Sequence, residues 1–108
     1  MIGDLDMICR YWRGWVATEK ADAFEQLLRK KVLPGISVKG YRGAYVMRRE
    51  VAGTVEVATL TLWDSLEAVK EFAGADYQVA VVSNEAKKLL SNFDRVSVHY
   101  EVVMEPRK

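Results

Sequence analysis

Residues 55–74 read VEVATLTLWDSLEAVKEFAG. Up to Trp63 the stretch is rich in β-formers. In an extended chain Val55, Val57, Thr59, Thr61 and Trp63 share one face, and Glu56, Ala58, Leu60 and Leu62 share the other. Neither is clearly a solvent face. Asp64 can then cap a helix, and Glu67, three residues on, completes a capping-box-like pair. Leu66, Val69, Phe72 and Ala73 recur as an apolar stripe, and Gly74 suits the end of the helix. The stretch is a strand, a turn and an amphipathic helix. Trp63 stands at the junction, where a large ring can wall a pocket.

Upstream, residues 41–50 (YRGAYVMRRE) read as a second strand, and Ala52-Gly53 as a turn that joins it to the strand of residues 54–63 as a hairpin. Residues 7–16 (MICRYWRGWV) form the first strand. Met7, Cys9, Tyr11, Arg13 and Trp15 alternate there with Ile8, Arg10, Trp12, Gly14 and Val16, and both faces are largely apolar. Something is expected to cover both sides. Between these strands Thr18 offers a helix N-cap and Ala21, Phe24, Leu27 and Leu28 recur at helical spacing. Leu33-Pro34-Gly35 ends that helix. Downstream, residues 76–82 fit either helix or extended chain. Residues 84–93 read as helical, capped by Ser83 or Asn84, with Ala86, Leu89, Leu90 and Phe93 on the apolar side. Residues 94–104 read as a last strand, followed by a polar tail.

The order β-α-β-β-α-β predicts an α+β, ferredoxin-like fold over residues 1–108 as one domain, with two helices on one face of a four-stranded antiparallel sheet. The other face is then bare. It would show Trp12 or Trp15, Leu60 and Leu62, and Val98 or Tyr100, depending on register. A patch of that kind exceeds what soluble monomers usually expose, so a homodimer with sheets face to face is expected.

Composition narrows the function classes. Lys+Arg number 16 and Asp+Glu 15, a net charge of +1, which gives no electrostatic reason to bind nucleic acid or anionic membrane. Arg29-Lys30-Lys31 is best read as complementing a helix C-terminus. No apolar run approaches the roughly 20 residues that span a bilayer. Asp4 and Asp6 leave no basic n-region, so no signal peptide is expected. Cys9 is the only cysteine, which fits a cytoplasmic location, and in an apolar strand it is not expected to be a nucleophile. One His, one Cys and scattered carboxylates offer no metal cluster, and the glycines form no phosphate loop. No metal and no bound cofactor are expected.

The pieces Leu62-Trp63-Asp64-Ser65, Glu67-Ala68, Phe72-Ala73-Gly74, Asp76-Tyr77, Ala80-Val81, Leu89-Leu90 and His99-Tyr100-Glu101-Val102, taken in this order and spacing, resemble the antibiotic-biosynthesis monooxygenase family of the dimeric α+β barrel superfamily. That resemblance implies a cofactor-independent monooxygenase acting on a small aromatic, quinol- or phenol-like substrate. The alternative is a non-catalytic dimeric binding or structural protein of the same fold. The haem-degrading members use an Asn on the first strand, a Trp at the end of the third and a His in the second helical region. Trp63 fits the second of these, but residues 7–16 contain no Asn and residues 64–93 no His. Haem degradation by this route is therefore not expected.

His99, the only histidine, is the candidate general base, with Ser97 and Glu101 on its strand face and a carboxylate able to orient the ring. Its other reading is a structural histidine at a dimer interface or sheet edge. Trp63 either stacks on a planar substrate or closes the core, and it is grouped with His99 as catalytic. Phe72 and Tyr77 can line the same cavity as substrate-binding residues, or simply pack.

Overall fold

The computed structural model describes residues 7–106. The reading of Asp4 and Asp6, and of the last two residues of the tail, lies outside them. In chain order the elements are β1 (Ile8–Ala17), a 3-10 turn (Thr18–Lys20), α1 (Ala21–Leu27) widening into a π-type turn (Leu28–Val32), β2 (Tyr41–Val51), β3 (Thr54–Trp63), α2 (Leu66–Ala73), α3 (Asn84–Leu89), β4 (Leu90–Phe93) and β5 (Val98–Glu101). The sheet is antiparallel in the order β2-β3-β1-β4, with β5 also on β1. This is the ferredoxin-like arrangement, with its fourth strand position filled by two short pieces. β4 lies opposite residues 14–16 of β1 and β5 opposite residues 8–11.

That division corrects two expectations. Residues 90–93 are a strand and not the end of a helix, and the last strand is Val98–Glu101 instead of residues 94–104. The cause is tertiary. Leu90 turns to extended backbone (φ −75°, ψ 135°) where the free edge of β1 offers partners. Ser91 donates its hydroxyl to the Trp15 carbonyl at 3.0 Å, and the Trp12 indole donates to the Asp94 carbonyl at 2.8 Å. Gly14 makes room for this: a Cβ there would sit 2.7 Å from both Leu90 Cδ2 and the Trp12 ring.

Two helix starts also differ from the simplest local reading, and a third is decided between its two candidates. Thr18 caps nothing, because its hydroxyl donates to the Gly53 carbonyl of the neighbouring hairpin turn at 3.2 Å. Ser65, not Asp64, caps α2, accepting from the Ala68 N–H at 3.2 Å. Asp64 is drawn instead to Arg42, at 3.1 Å. Of the two candidates before α3, Ser83 is the cap, accepting from Ala86 N–H at 3.1 Å.

β1 and β3 are the central pair, in unbroken register from Ile8↔Trp63 to Ala17↔Thr54. This explains why neither strand alternates cleanly with polar residues. Their helix-facing side carries two apolar clusters. Val16, Val55 and Val57 pack with Ala21, Phe24, Leu28 and Ala86 at one end. Trp63 packs with Ala68, Val69, Tyr41 and Phe72 at the other. Arg10, Trp12, Thr59 and Thr61 lie between them. The opposite sheet face carries Tyr11, Trp15, Tyr45, Met47, Leu60 and Leu62. The register puts Val98 (opposite Tyr11) and Tyr100 (opposite Cys9) there together. Tyr45 and Tyr100 are 61% and 58% exposed.

The β2–β3 turn has both central residues at positive φ, Ala52 at 49° and Gly53 at 83°. A two-residue hairpin needs this geometry, and Gly53 adopts it freely while Ala52 carries a Cβ penalty. Ala52→Asn should therefore stabilise the protein by about 0.5–1 kcal/mol. A rise of a few degrees in the thermal midpoint checks this; an unchanged or lower midpoint would show that the turn is not strained.

Candidate functional site

Between the two clusters lies a cavity of about 420 Å³. The sheet contributes Arg10, Trp12, Thr59 and Thr61 to its wall. α1 and the π-type turn contribute Phe24, Leu28 and Lys31, and α2 contributes Phe72. Residues 81–83 and α3 close another side, and Ser97 completes the wall from the segment before β5. This size is within the range that holds a drug-sized ligand, and the lining is mostly apolar with a few polar groups. The charged pair Lys31–Glu85 sits at 3.2 Å with both side chains well exposed. Deeper in, Arg10 is only 5% exposed.

Arg10 is at this position because of β1's alternation. Ile8, Trp12, Gly14 and Val16 turn toward the helices, and the residue between Ile8 and Trp12 must follow. Its Nη1 donates to the Tyr77 carbonyl at 2.5 Å and to His99 Nε2 at 3.0 Å, and its Nη2 donates to the Val79 carbonyl at 3.3 Å. Its Cζ lies 5.7 Å from the Phe72 ring centroid. Burial pushes the guanidinium down to about 10, so it stays charged at neutral pH.

Three of the four residues singled out from the sequence, Phe72, Tyr77 and His99, meet around Arg10. Phe72 lines the cavity. Trp63 does not: it is fully buried behind the wall, 5.1 Å from the Tyr41 ring and 5.3 Å from the Phe72 ring. Its indole donates to the Thr61 hydroxyl at 2.8 Å, and Thr61 faces the cavity. Tyr77 gives Arg10 its carbonyl and sets its ring edge-on to His99 at 5.0 Å. His99 reaches the cavity only through Arg10, its cross-strand neighbour.

An arginine can only donate, so His99 Nε2 accepts and Nδ1 carries the proton of a neutral ring. No carboxylate orients this histidine among the described residues; a cation does. Burial, and then the charge of Arg10, hold His99 below the ordinary imidazole value. Arg10 is the site residue that sequence reading passed over. Its signal was visible: it is the one charge on the helix-facing side of a strand whose other members there are Ile8, Trp12, Gly14 and Val16.

The fold and this cavity define an α+β protein with a ligand-sized pocket between sheet and helices. The model of the antibiotic biosynthesis monooxygenase family matches residues 7–84, and the chain belongs to that family. No curated protein matches the sequence. Among solved structures, a Bacillus cereus protein assigned to the same family is 17% identical with a TM-score of 0.66, covering 94% of this chain and 96% of its own. A conserved protein from Methanosarcina mazei is 13% identical with a TM-score of 0.65, covering 93% and 96%. The monooxygenase from the ActVA-Orf6 gene of Streptomyces coelicolor, in complex with Nanaomycin D, is 17% identical with a TM-score of 0.56, covering 97% and 90%. At these identities the likeness concerns the fold. Among the described residues no helix is long and apolar enough to cross a membrane.

The depressed basicity of His99 has a stability consequence. Above its unfolded value of about 6.5 the imidazole is neutral in both states. As pH falls below that, the unfolded chain takes the proton first, so this contribution to stability is lost as pH drops toward the folded value. The urea midpoint should fall between about pH 7.5 and 5.5, and His99→Gln should flatten the slope. An identical slope in the variant would mean that His99 is not held neutral by its surroundings.

Proposed function

We propose that this chain is a monooxygenase that works without metal or bound cofactor on a small quinol- or phenol-like aromatic, acting as one domain and as a homodimer in the cytoplasm. The observation that carries the reading is the cavity itself: a mostly apolar cleft whose wall includes a buried cation beside a neutral imidazole. His99 is the base: it stands behind Arg10 and does not line the cavity, so the reading requires Arg10 to release Nε2, which then takes the phenolic proton and leaves the electron-rich anion that donates to O₂. Phe72 offers an aromatic wall. Trp63 acts from behind it, fixing Thr61 and supporting Phe72. Tyr77 holds the imidazole from its edge. Cys9 takes no part: it is buried, and burial pushes its thiol up, away from nucleophilic form.

A second reading, a dimeric binding module without turnover, is favoured by one contact. The Nε2 lone pair that a base would use is already engaged by Arg10. Oxygen uptake with a panel of quinols and anthrones separates the two. The enzyme reading expects uptake, reduced roughly 10²–10⁴-fold in kcat by His99→Ala. Absence of uptake across the panel would leave the binding module, and uptake indifferent to His99→Ala would remove the base.

The homodimer rests on the face opposite the helices, where Tyr45, Met47, Val98 and Tyr100 are exposed around half-buried Tyr11, Leu60 and Leu62. Covering such a patch stabilises by roughly 25 cal/mol per Å² before the costs of association. Light scattering at micromolar concentration should give twice the chain mass, and Tyr45→Asp combined with Tyr100→Asp should lower it toward one. A wild-type monomer would refute the assembly.

A further inference from the structure

Arg10 is a buried charge whose neighbours satisfy its hydrogen bonds without neutralising it. The carbonyls of Tyr77 and Val79, the neutral ring of His99 and the face of Phe72 are all formally uncharged. Among the described residues no carboxylate reaches the guanidinium. The other charged wall residues, Lys31 and Glu85, spend their charges on each other. Burying an unpaired charge is costly, and proteins usually pair such a group or use it.

The geometry shows what is left to use. A guanidinium has five N–H donors. Both Nη1 donors and one on Nη2 are engaged. The Nε–H and the second Nη2–H remain, on two nitrogens bonded to the same carbon, and such a pair can meet both oxygens of one carboxylate. Arg10 lines the cavity together with Ser97 and Thr61, and away from them the wall is Trp12, Phe24, Leu28 and Phe72. A ligand complementary to this wall has an apolar ring body and one anionic end.

We propose that the cavity takes an aromatic carboxylate, with its ring among Trp12, Phe24 and Phe72 and its carboxylate on the free donors of Arg10. This rests on reading the cavity as the ligand site. It does not rest on turnover, and it holds whether the protein oxidises that ligand or only binds it. Arg10 is thus a specificity residue: it favours an acid over its neutral isostere by desolvated charge pairing, while the apolar wall treats the two alike.

The test uses the full chain at neutral pH, titrated with 2-naphthoate and with 2-naphthamide and read by tryptophan fluorescence, since Trp12 is on the wall, and by calorimetry. Naphthoate should bind at least roughly tenfold more tightly than the amide. Arg10→Gln should abolish the preference and Arg10→Lys should keep part of it. Binding of naphthoate should also shift the Arg10 Nε–H resonance, while the amide should not. That measurement on the wild type decides the matter if Arg10→Gln does not fold. Equal affinities in the wild type, a preference that survives Arg10→Gln, or no binding of either compound at millimolar concentration overturns the proposal. An arginine that only tethers the Tyr77–Val79 backbone would lower the thermal midpoint on substitution but give no acid–amide preference to lose. Oxygen uptake is scored separately: acid preference without uptake removes only the oxygenase reading, and uptake without acid preference removes only this one.

Discussion

The unbroken pairing of β1 with β3 constrains everything else in this molecule. Ten consecutive residue pairs, Ile8↔Trp63 through Ala17↔Thr54, fix which side chains of the two central strands face the helices. Because side chains alternate with a period of two, slipping that ladder by one residue would turn Val55, Val57 and Trp63 away from the helical layer and carry Glu56 toward it. Burial of those apolar residues holds the register, and the register then fixes Arg10 by parity, between Ile8 and Trp12. The charge is buried as a consequence of the strand that packs the core. The structure meets the cost locally, with two carbonyls from residues 77–79, an imidazole acceptor and an aromatic face.

The same ladder separates two tasks. One side of the sheet packs its two clusters at the ends and leaves a gap in the middle, where Thr59, Thr61 and Arg10 replace apolar residues. The cavity is where polar and charged positions interrupt a continuous apolar layer. Trp63 belongs to this account as a support. With its indole held by Thr61 and its ring against Tyr41 and Phe72, it stiffens the wall on which Phe72 and Thr61 stand.

The fold was legible in the sequence because its largest features repeat. The period-two pattern of residues 54–63, the helical stripe ending at Gly74 and the Ala52-Gly53 turn each agree with the structure. What failed was decided by contacts between distant segments. Asp64 and Ser65 are both acceptable caps, and Arg42, twenty-two positions before Asp64, settles which is free to act. Leu89, Leu90 and Phe93 have helical spacing, but the exposed edge of β1 and the missing side chain at Gly14 draw Leu90 into a strand. The site was half legible for the same reason. Aromatic residues and a lone histidine are conspicuous in any sequence. The significance of Arg10 depends on which face of β1 is covered, and strand parity shows that only once the register is known.

β1 links the cavity to the opposite face of the sheet. Arg10 and Trp12 point to the cavity while their neighbours Cys9, Tyr11 and Arg13 point away. Tyr11 lies opposite Leu60 on one side and Val98 on the other, and Arg10 lies opposite His99. The short strand β5 therefore carries Val98 and Tyr100 on the bare face and His99 toward Arg10, with only four residues of pairing to hold it. The proposed second copy, packed on the bare face, would bear on Val98 and Tyr100 directly. It would hold β5 against β1 and with it the distance between the imidazole and the guanidinium. In this fold the geometry of the inner end of the cavity and the apolar character of the outer face meet in one short edge strand, whose alternate residues serve each.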